Sequence, residues 1–237
     1  MSDDAVLYST QGEVGIITIN NPPVNALRNA VRAGIKDGVE KFVADAAVKA
    51  IVLIGGGRTF IAGADIKEFG KPPSGPDLNT VIATMENSPK PIVAALHGTA
   101  LGGGLETAFG AHYRVISPSG RVGLPEVHLG LLPGAGGTQR LRRLIGAKAA
   151  LDAILSGAHI PAAKAKATGI VDEIVDGDLL TAAVAYARKL VADKAPLKKI
   201  RDLKATLESP TLFEDTEKAI SRKSRGFLAP FHIIKCV

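Results

Sequence analysis

A chain of 237 residues that is 46% hydrophobic but only 4% aromatic, with no Trp, can bury one sizeable core built mainly from Ala, Val, Leu and Ile. The single cysteine, Cys236, excludes an intramolecular disulfide, and no Cys/His spacing fits a structural zinc site. The net charge of +6 comes entirely from residues 188–237, where twelve Lys and Arg face six Asp and Glu; the remainder balances at 17 against 17, which excludes an even nucleic-acid-binding footprint.

The N-terminus, Met1 to Ala5, has neither the basic nor the apolar part of a secretory signal, and no apolar run approaches the ~18 residues of a membrane span. A soluble intracellular protein is expected. Val14 to Asn20 is β-branched and runs into two prolines, as a strand closed by a turn does. Val31, Ile35, Val39 and Val43 recur at helical spacing between Leu27 and Ala44, which predicts an amphipathic helix. Val48 to Ile54 is almost wholly apolar and ends in glycines, the pattern of a strand buried on both faces.

Residues 70–79 hold three Pro and two Gly and predict a mobile surface loop, followed by a helix near 79–87. Pro91 to His97 repeats the buried-strand pattern and leads into Gly98 to Gly104, after which Leu105 to Ala111 begins a helix. Tyr113 to Ser117 reads as a strand, and a short segment Arg121 to Glu126 precedes the glycine-rich stretch Gly130 to Gly137. Helices are then expected at Gln139 to Ile145, Ala147 to Leu155, Ala162 to Thr168 and Leu179 to Asp193. Strands alternating with helices, then helices alone, give an α/β fold.

Three constellations bear on chemistry. Where the strand ends in Gly102, Gly103 and Gly104, the backbone can approach a ligand, and the N–H of Gly103 at a helix start is a natural oxyanion donor; close helix-on-strand packing is the alternative use of the same glycines. Ala62 to Asp65 forms a loop of small residues that offers the N–H of Ala64 as a second donor, although Asp65 could equally cap the segment after it. Glu106, flanked by Leu105, Ala108 and Phe109, and Glu126, directly after Pro125, are either surface glutamates or inward carboxylates raised in pKa and fit for proton transfer. His97 is read as a satisfied core histidine, and His112 and His128 receive no role. Phosphate-loop, nucleophile-elbow, zinc-protease and dinucleotide fingerprints are all absent from the sequence.

Four segments in order, Asn21–Ala26, Phe60–Ile66, Ala100–Glu106 and Gly123–Arg140, make the chain resemble the crotonase, or enoyl-CoA hydratase/isomerase, family over nearly its whole length. The resemblance implies a crotonase-like spiral of repeated ββα units with a helical C-terminal region and acyl-CoA bent across it. By the same resemblance Ala62, Gly63, Ala64, Asp65 and Ile66 line the CoA site, with Lys67 as a candidate for its phosphates, and the N–H groups of Ala64 and Gly103 hold the thioester oxygen. Glu106 would activate water, Glu126 would deliver a proton to C2, and the N–H of Gly134 would help orient the water. Family isomerases usually keep only the carboxylate matching Glu126, so two glutamates imply a hydratase with isomerisation as a possible second activity.

Ser221 to Val237 resembles the linker of multifunctional fatty-acid oxidation enzymes, in which a 3-hydroxyacyl-CoA dehydrogenase follows. The expected organisation is therefore a hydratase/isomerase core over residues 1–195 and a basic tail or linker over 196–237, covalently fused to that dehydrogenase in the full-length protein. The substrate is an enoyl-CoA and no separate cofactor or metal is expected. A cytoplasmic bacterial enzyme is the first expectation and a peroxisomal one the alternative. The rivals are another crotonase reaction, such as isomerisation alone, thioester hydrolysis or dehalogenation, and a non-catalytic binder of CoA or RNA.

Overall fold

The computed structural model describes residues 4–68, 70–72, 74–222 and 224–237. Strand β1 (Val6–Gln11) runs antiparallel to β2 (Val14–Ile19), with Val6 opposite Ile19 and Gln11 opposite Val14. Helix α1 (Asn29–Ala44) then carries the chain back to β3 (Ala50–Gly55), which pairs parallel with β2. A single 3-10 turn at Ile66–Glu68 and helix α2 (Leu78–Glu86) lead to β4 (Ile92–Leu96), parallel to β3. Asp77 caps α2 by accepting the N–H of Thr80 at 2.7 Å. Phe69 lies at the edge of the expected 70–79 loop and Pro73 within it, and both fall outside the described residues.

Next come β5 (Thr99–Leu101), α3 (Gly103–Gly110), β6 (Tyr113–Ile116), β7 (Arg121–Gly123) and a 3-10 turn at Glu126–Leu129. They are followed by α4 (Gly137–Ile145), α5 (Ala147–Ser156), β8 (Ile160–Pro161), α6 (Ala162–Thr168), β9 (Glu173–Ile174) and α7 (Leu179–Ala192). Helices α8 (Leu212–Ile220) and α9 (Ala229–Cys236) complete the chain. The main sheet has the order β1-β2-β3-β4-β6-β9 and the minor one β5-β7-β8, so strand pairs β4–β5 and β6–β7 each leave the large sheet for the small one before a helix returns. The chain thus winds as repeated strand-strand-helix units in the α/β class, as the sequence led one to expect.

Strand alternation decides what covers each face of the main sheet. Ile17, Ile19, Ile51, Leu53, Ile92, Ala94 and Leu96 point towards α1 and the rest of the larger core, whereas Val14, Ile16, Ala50, Val52, Val93 and Ala95 point to Ala183, Val184, Ala187 and Leu190 of α7. Both faces are dry, which explains why these strands read as continuous apolar runs. β1 differs because it is an edge strand with every residue after Val6 at least partly exposed, and no such run marks it in the sequence.

Beyond residue 195 the chain stays against this body. Tyr113 donates to the carbonyl of Pro196 at 2.6 Å, Ile200, Ile233, Ile234 and Val237 are buried, and α9 packs on α4 and α5. Gln139 and Arg142 of α4 donate to the carbonyl oxygens of Cys236 and Val237. No helix among the described residues is long and apolar enough to cross a membrane.

One contact sets the distance between the layers. An added Cβ on Gly104 would overlap the carbonyl oxygen of Ile61 and lie 2.8 Å from its Cβ, both on the neighbouring rigid segment. Gly104→Ala is expected to lower the thermal midpoint by roughly 5 °C, because overpacking costs about 1–3 kcal/mol and a domain of this size loses ~2–4 °C per kcal/mol. Circular dichroism melting would read it, and an unchanged midpoint would refute the contact.

Candidate active site

The segment Ile61–Ala64 lies between two others, bridged to Leu27 through Ala64 and to Ala100 through Ile61. Leu27 donates to the carbonyl of Gly63 at 2.9 Å and Leu101 to that of Ile61 at 3.1 Å, so the loop is held from both sides by its carbonyls. Its next turn is also fastened, since Glu68 accepts the N–H of Asn29 at 2.7 Å and the guanidinium of Arg32 at 2.7 Å. Asp65 does act as a local cap, accepting the N–H of Lys67 at 3.0 Å.

The N–H of Ala64 is left over. So is that of Gly103, the first residue of α3, which has no earlier turn to bond. Among the described residues neither has a protein acceptor. The two come to one place: the ideal Cβ position of Gly103 lies 3.9 Å from the nitrogen of Ala64 and 3.0 Å from Cδ1 of Leu27. Ala64 is exposed and Gly103 half-buried, so a ligand can reach both. Ala62, Gly63 and Asp65 are half-buried on either side of Ala64, while Lys67 and Ile66, the latter 71% exposed, face outwards.

Glu106 is buried one turn into α3, where Oε1 accepts the N–H groups of Ala135 and Gly137, each at 2.8 Å. Burial raises its pKa; the two donors and the nearby Arg140 pull it back towards the ionised form. Gly137 must be glycine or nearly so, since a Cβ there would lie 2.9 Å from Oε1 of Glu106. Glu126 opens the 3-10 turn after Pro125, with Oε2 buried and without a partner among the described residues. Burial, and to a lesser degree the charge of Glu106, push its pKa to about 7. Gly102, at φ +53°, brings the chain close under this carboxylate, and a Cβ there would lie 3.1 Å from its Oε1.

The two carboxylates therefore differ in kind. One is buried but hydrogen-bonded in its charged form, and the other is half-buried with one oxygen unpartnered, which brings its neutral and ionised forms into balance near pH 7. Both sit at the N-terminal end of α3 beside the two free N–H groups. Gly134, expected to orient water, is exposed with open space around it, and its neighbours Ala135 and Gly137 are the residues that hold Glu106. These two donors escaped the sequence reading, although both lie in the glycine-rich stretch singled out for its backbone.

His97 corrects its expectation. It is half-buried rather than core, with Nε2 3.1 Å from the carbonyl oxygen of Gly57 and Nδ1 unpartnered, so it is not fully satisfied. His112 is fully buried and accepts the N–H of Ile92 on Nδ1 at 3.0 Å, and burial lowers its pKa to about 4. His128 is exposed. No group of three or more potential metal ligands gathers among the described residues.

Comparison with known proteins adds an independent line. The family model for enoyl-CoA hydratase/isomerase matches residues 9–233. A peroxisomal bifunctional enzyme of Danio rerio is 42% identical over 228 residues, covering 94% of this chain but 32% of its own length, so the chain spans about a third of such relatives. A probable enoyl-CoA hydratase of Bacillus subtilis is 38% identical over 202 residues, covering 81% of this chain and 78% of its own. Among solved structures, the enoyl-CoA hydratase EchA1 of Mycobacterium marinum superposes with a TM-score of 0.75 at 30% identity, covering 94% of this chain and 92% of that one.

The raised pKa of Glu126 has a thermodynamic consequence. The folded chain keeps a proton that an unfolded glutamate, with its ordinary value of 4.5, releases between pH 4.5 and about 7; stability therefore falls as pH rises through that window, and the loss is complete above it. Glu126→Gln, which removes the charge, is expected to melt a few degrees above the parent at pH 8 and at nearly the parent's temperature at pH 4.5. Thermal denaturation across pH tests this, and a difference independent of pH would contradict it.

Proposed function

The chain belongs to the enoyl-CoA hydratase/isomerase family, and we propose that it hydrates the trans-2 double bond of an enoyl-CoA to give the 3-hydroxyacyl-CoA of fatty-acid β-oxidation. The observation that carries this reading is the pair of inequivalent carboxylates, buried Glu106 and half-buried Glu126, beside the N–H groups of Ala64 and Gly103 that have no acceptor among the described residues. The thioester carbonyl oxygen would accept both N–H groups. Water held by Glu106 loses a proton to that carboxylate as its oxygen bonds C3, and the electron pair moves through C2 onto the carbonyl oxygen as an enolate. The two donors stabilise the charge where it develops, an effect worth about 2.7–4 kcal/mol per donor in comparable sites.

Glu126 then protonates C2, which restores the carbonyl. Its protonated form near neutral pH suits this step, and the hydrogen-bonded Glu106 suits the step before it. Gly134, exposed and next to Ala135, is proposed to direct its N–H at the same water. Ala62, Gly63, Ala64, Asp65 and Ile66 would line the CoA. Acyl-CoA is the substrate and no cofactor enters the scheme. Isomerisation of a 3-enoyl-CoA needs only a proton shuttle beside the same anion site, and the unpaired Oε2 of Glu126 favours it as a second activity.

Because the chain spans about a third of the peroxisomal bifunctional enzymes it resembles, we further propose that it is the hydratase/isomerase part of a longer protein whose remainder is a 3-hydroxyacyl-CoA dehydrogenase, joined through residues 196–237. The intact mass of the natural protein checks this, and a chain ending at Val237 would refute it. The cytoplasm is the compartment proposed for a bacterial source, with the peroxisome as the alternative.

The direct test follows the conjugated-thioester absorbance of crotonyl-CoA. The parent should consume it, and Glu106→Gln or Glu126→Gln should each slow hydration by a factor on the order of 10²–10⁴ while leaving CoA binding in place. Isomerisation should survive in Glu106→Gln alone. Hydration retained in both variants would overturn the assignment.

A further inference from the structure

Glu86 ends α2, on a face otherwise formed by Val81, Ile82 and Met85, and it is only 2% exposed. A carboxylate at that depth requires a cation or a proton. Arg140 of α4 supplies the cation, with Nε donating to Oε1 at 3.2 Å and Nη2 to Oε2 at 2.9 Å. Arg201, from the segment after α7, reaches the same carboxylate from outside, 3.7 Å from Oε2, and donates to Oδ1 of Asn87 at 2.6 Å.

Arg140 has one more contact. Its Nη1 donates to the carbonyl of Ala135 at 3.2 Å, and the N–H of that same residue donates to Oε1 of Glu106 at 2.8 Å. Gly136, between them in the chain at φ +87°, leaves room for the guanidinium, since a Cβ there would overlap Nη1. A rigid planar fork thus grips Glu86 with one edge and the Ala135 backbone with another. The charged groups bearing on Glu106 are Arg140 and Glu126.

We propose that Glu86 and Arg140 are positioning residues for the water-activating step: their ion pair fixes the backbone at Ala135, and through it the orientation and ionisation of Glu106. The proposal rests on the reading of Glu106 as the group that activates water. A pair that only tied α2 to α4 would have no need of the contact to Ala135, and its loss would affect folding without affecting Glu106.

Two variants separate these roles. Arg140→Lys keeps the charge and loses the fork, while Glu86→Leu combined with Arg140→Met replaces both charges by apolar groups of similar size, the exchange that buried ion pairs tolerate best. Both should fold, as judged by melting, and bind CoA. In each, kcat for crotonyl-CoA hydration should fall roughly tenfold with KM changed less than about twofold, as expected when a reacting group is misplaced while substrate binding stays intact. In the double variant the Glu106 titration should move up by about half a pH unit or more; carbon-13 NMR of the labelled glutamate carboxyls follows it, with Glu106→Gln assigning the signal.

A kcat within twofold of the parent in either folded variant, or an unmoved Glu106 titration, overturns the proposal. Failure of both variants to fold does so too, because it assigns the pair to the fold alone. If the parent itself does not hydrate crotonyl-CoA, the hydratase reading fails instead, and the titration still judges the pair because it requires no turnover.

Discussion

Placing a carboxylate inside a protein while keeping it able to carry charge is the constraint around which this site is arranged. Glu106 satisfies it with two backbone donors on one oxygen, from Ala135 and Gly137, and with a guanidinium one residue further out. The donors come from a stretch whose glycines let the backbone close on the carboxylate, and that stretch is reached only after β7 and its 3-10 turn have delivered Glu126 to the same place. Helix α3 cannot hold Glu106 there unless Gly104 lets it lie directly on Ile61, which in turn locates the loop carrying Ala64. The site is therefore a product of layer spacing as much as of side-chain identity.

Much of the fold was legible because the central strands are buried on both faces. Runs such as Val48 to Ile54 and Pro91 to His97 correspond to β3 and β4, and the helical periodicity between Leu27 and Ala44 corresponds to α1. β1 was not legible: an exposed edge strand alternates polar and apolar residues only weakly, and its pairing depends on β2 being already in place. β5 was not told apart from the strand before it, since Gly98 to Gly104 read only as that strand's glycine-rich end and a three-residue strand has no period to detect.

The candidate site divides in the same way. Glu106 and Gly103 stood out at a strand-to-helix junction, Ala64 in a loop of small residues and Glu126 directly after Pro125, whereas the partners of Glu106 were not inferred, since the sequence does not show which of several backbone N–H groups in a glycine-rich stretch closes on a carboxylate. Glu86 was invisible for a different reason. An acid at the end of an apolar helix face looks like the solvated end of that helix until the cation opposite, more than fifty positions along the chain, is seen to close on it. The histidine at position 97 shows the converse, a residue that follows five buried strand residues but itself lies half-buried just past the end of β4.

The pair of N–H groups at Ala64 and Gly103 belongs to the main chain, so exchanging one side chain for another leaves it in place. Only an insertion, a deletion or a proline could erase it, whereas each carboxylate is one substitution away from being lost or replaced. A gene duplicate of this protein would thus inherit the two donors at a fixed spacing together with two freely editable positions beside them. Novelty in such a lineage has a permanent foothold, and what diversifies is the side-chain chemistry set beside the same pair of donors.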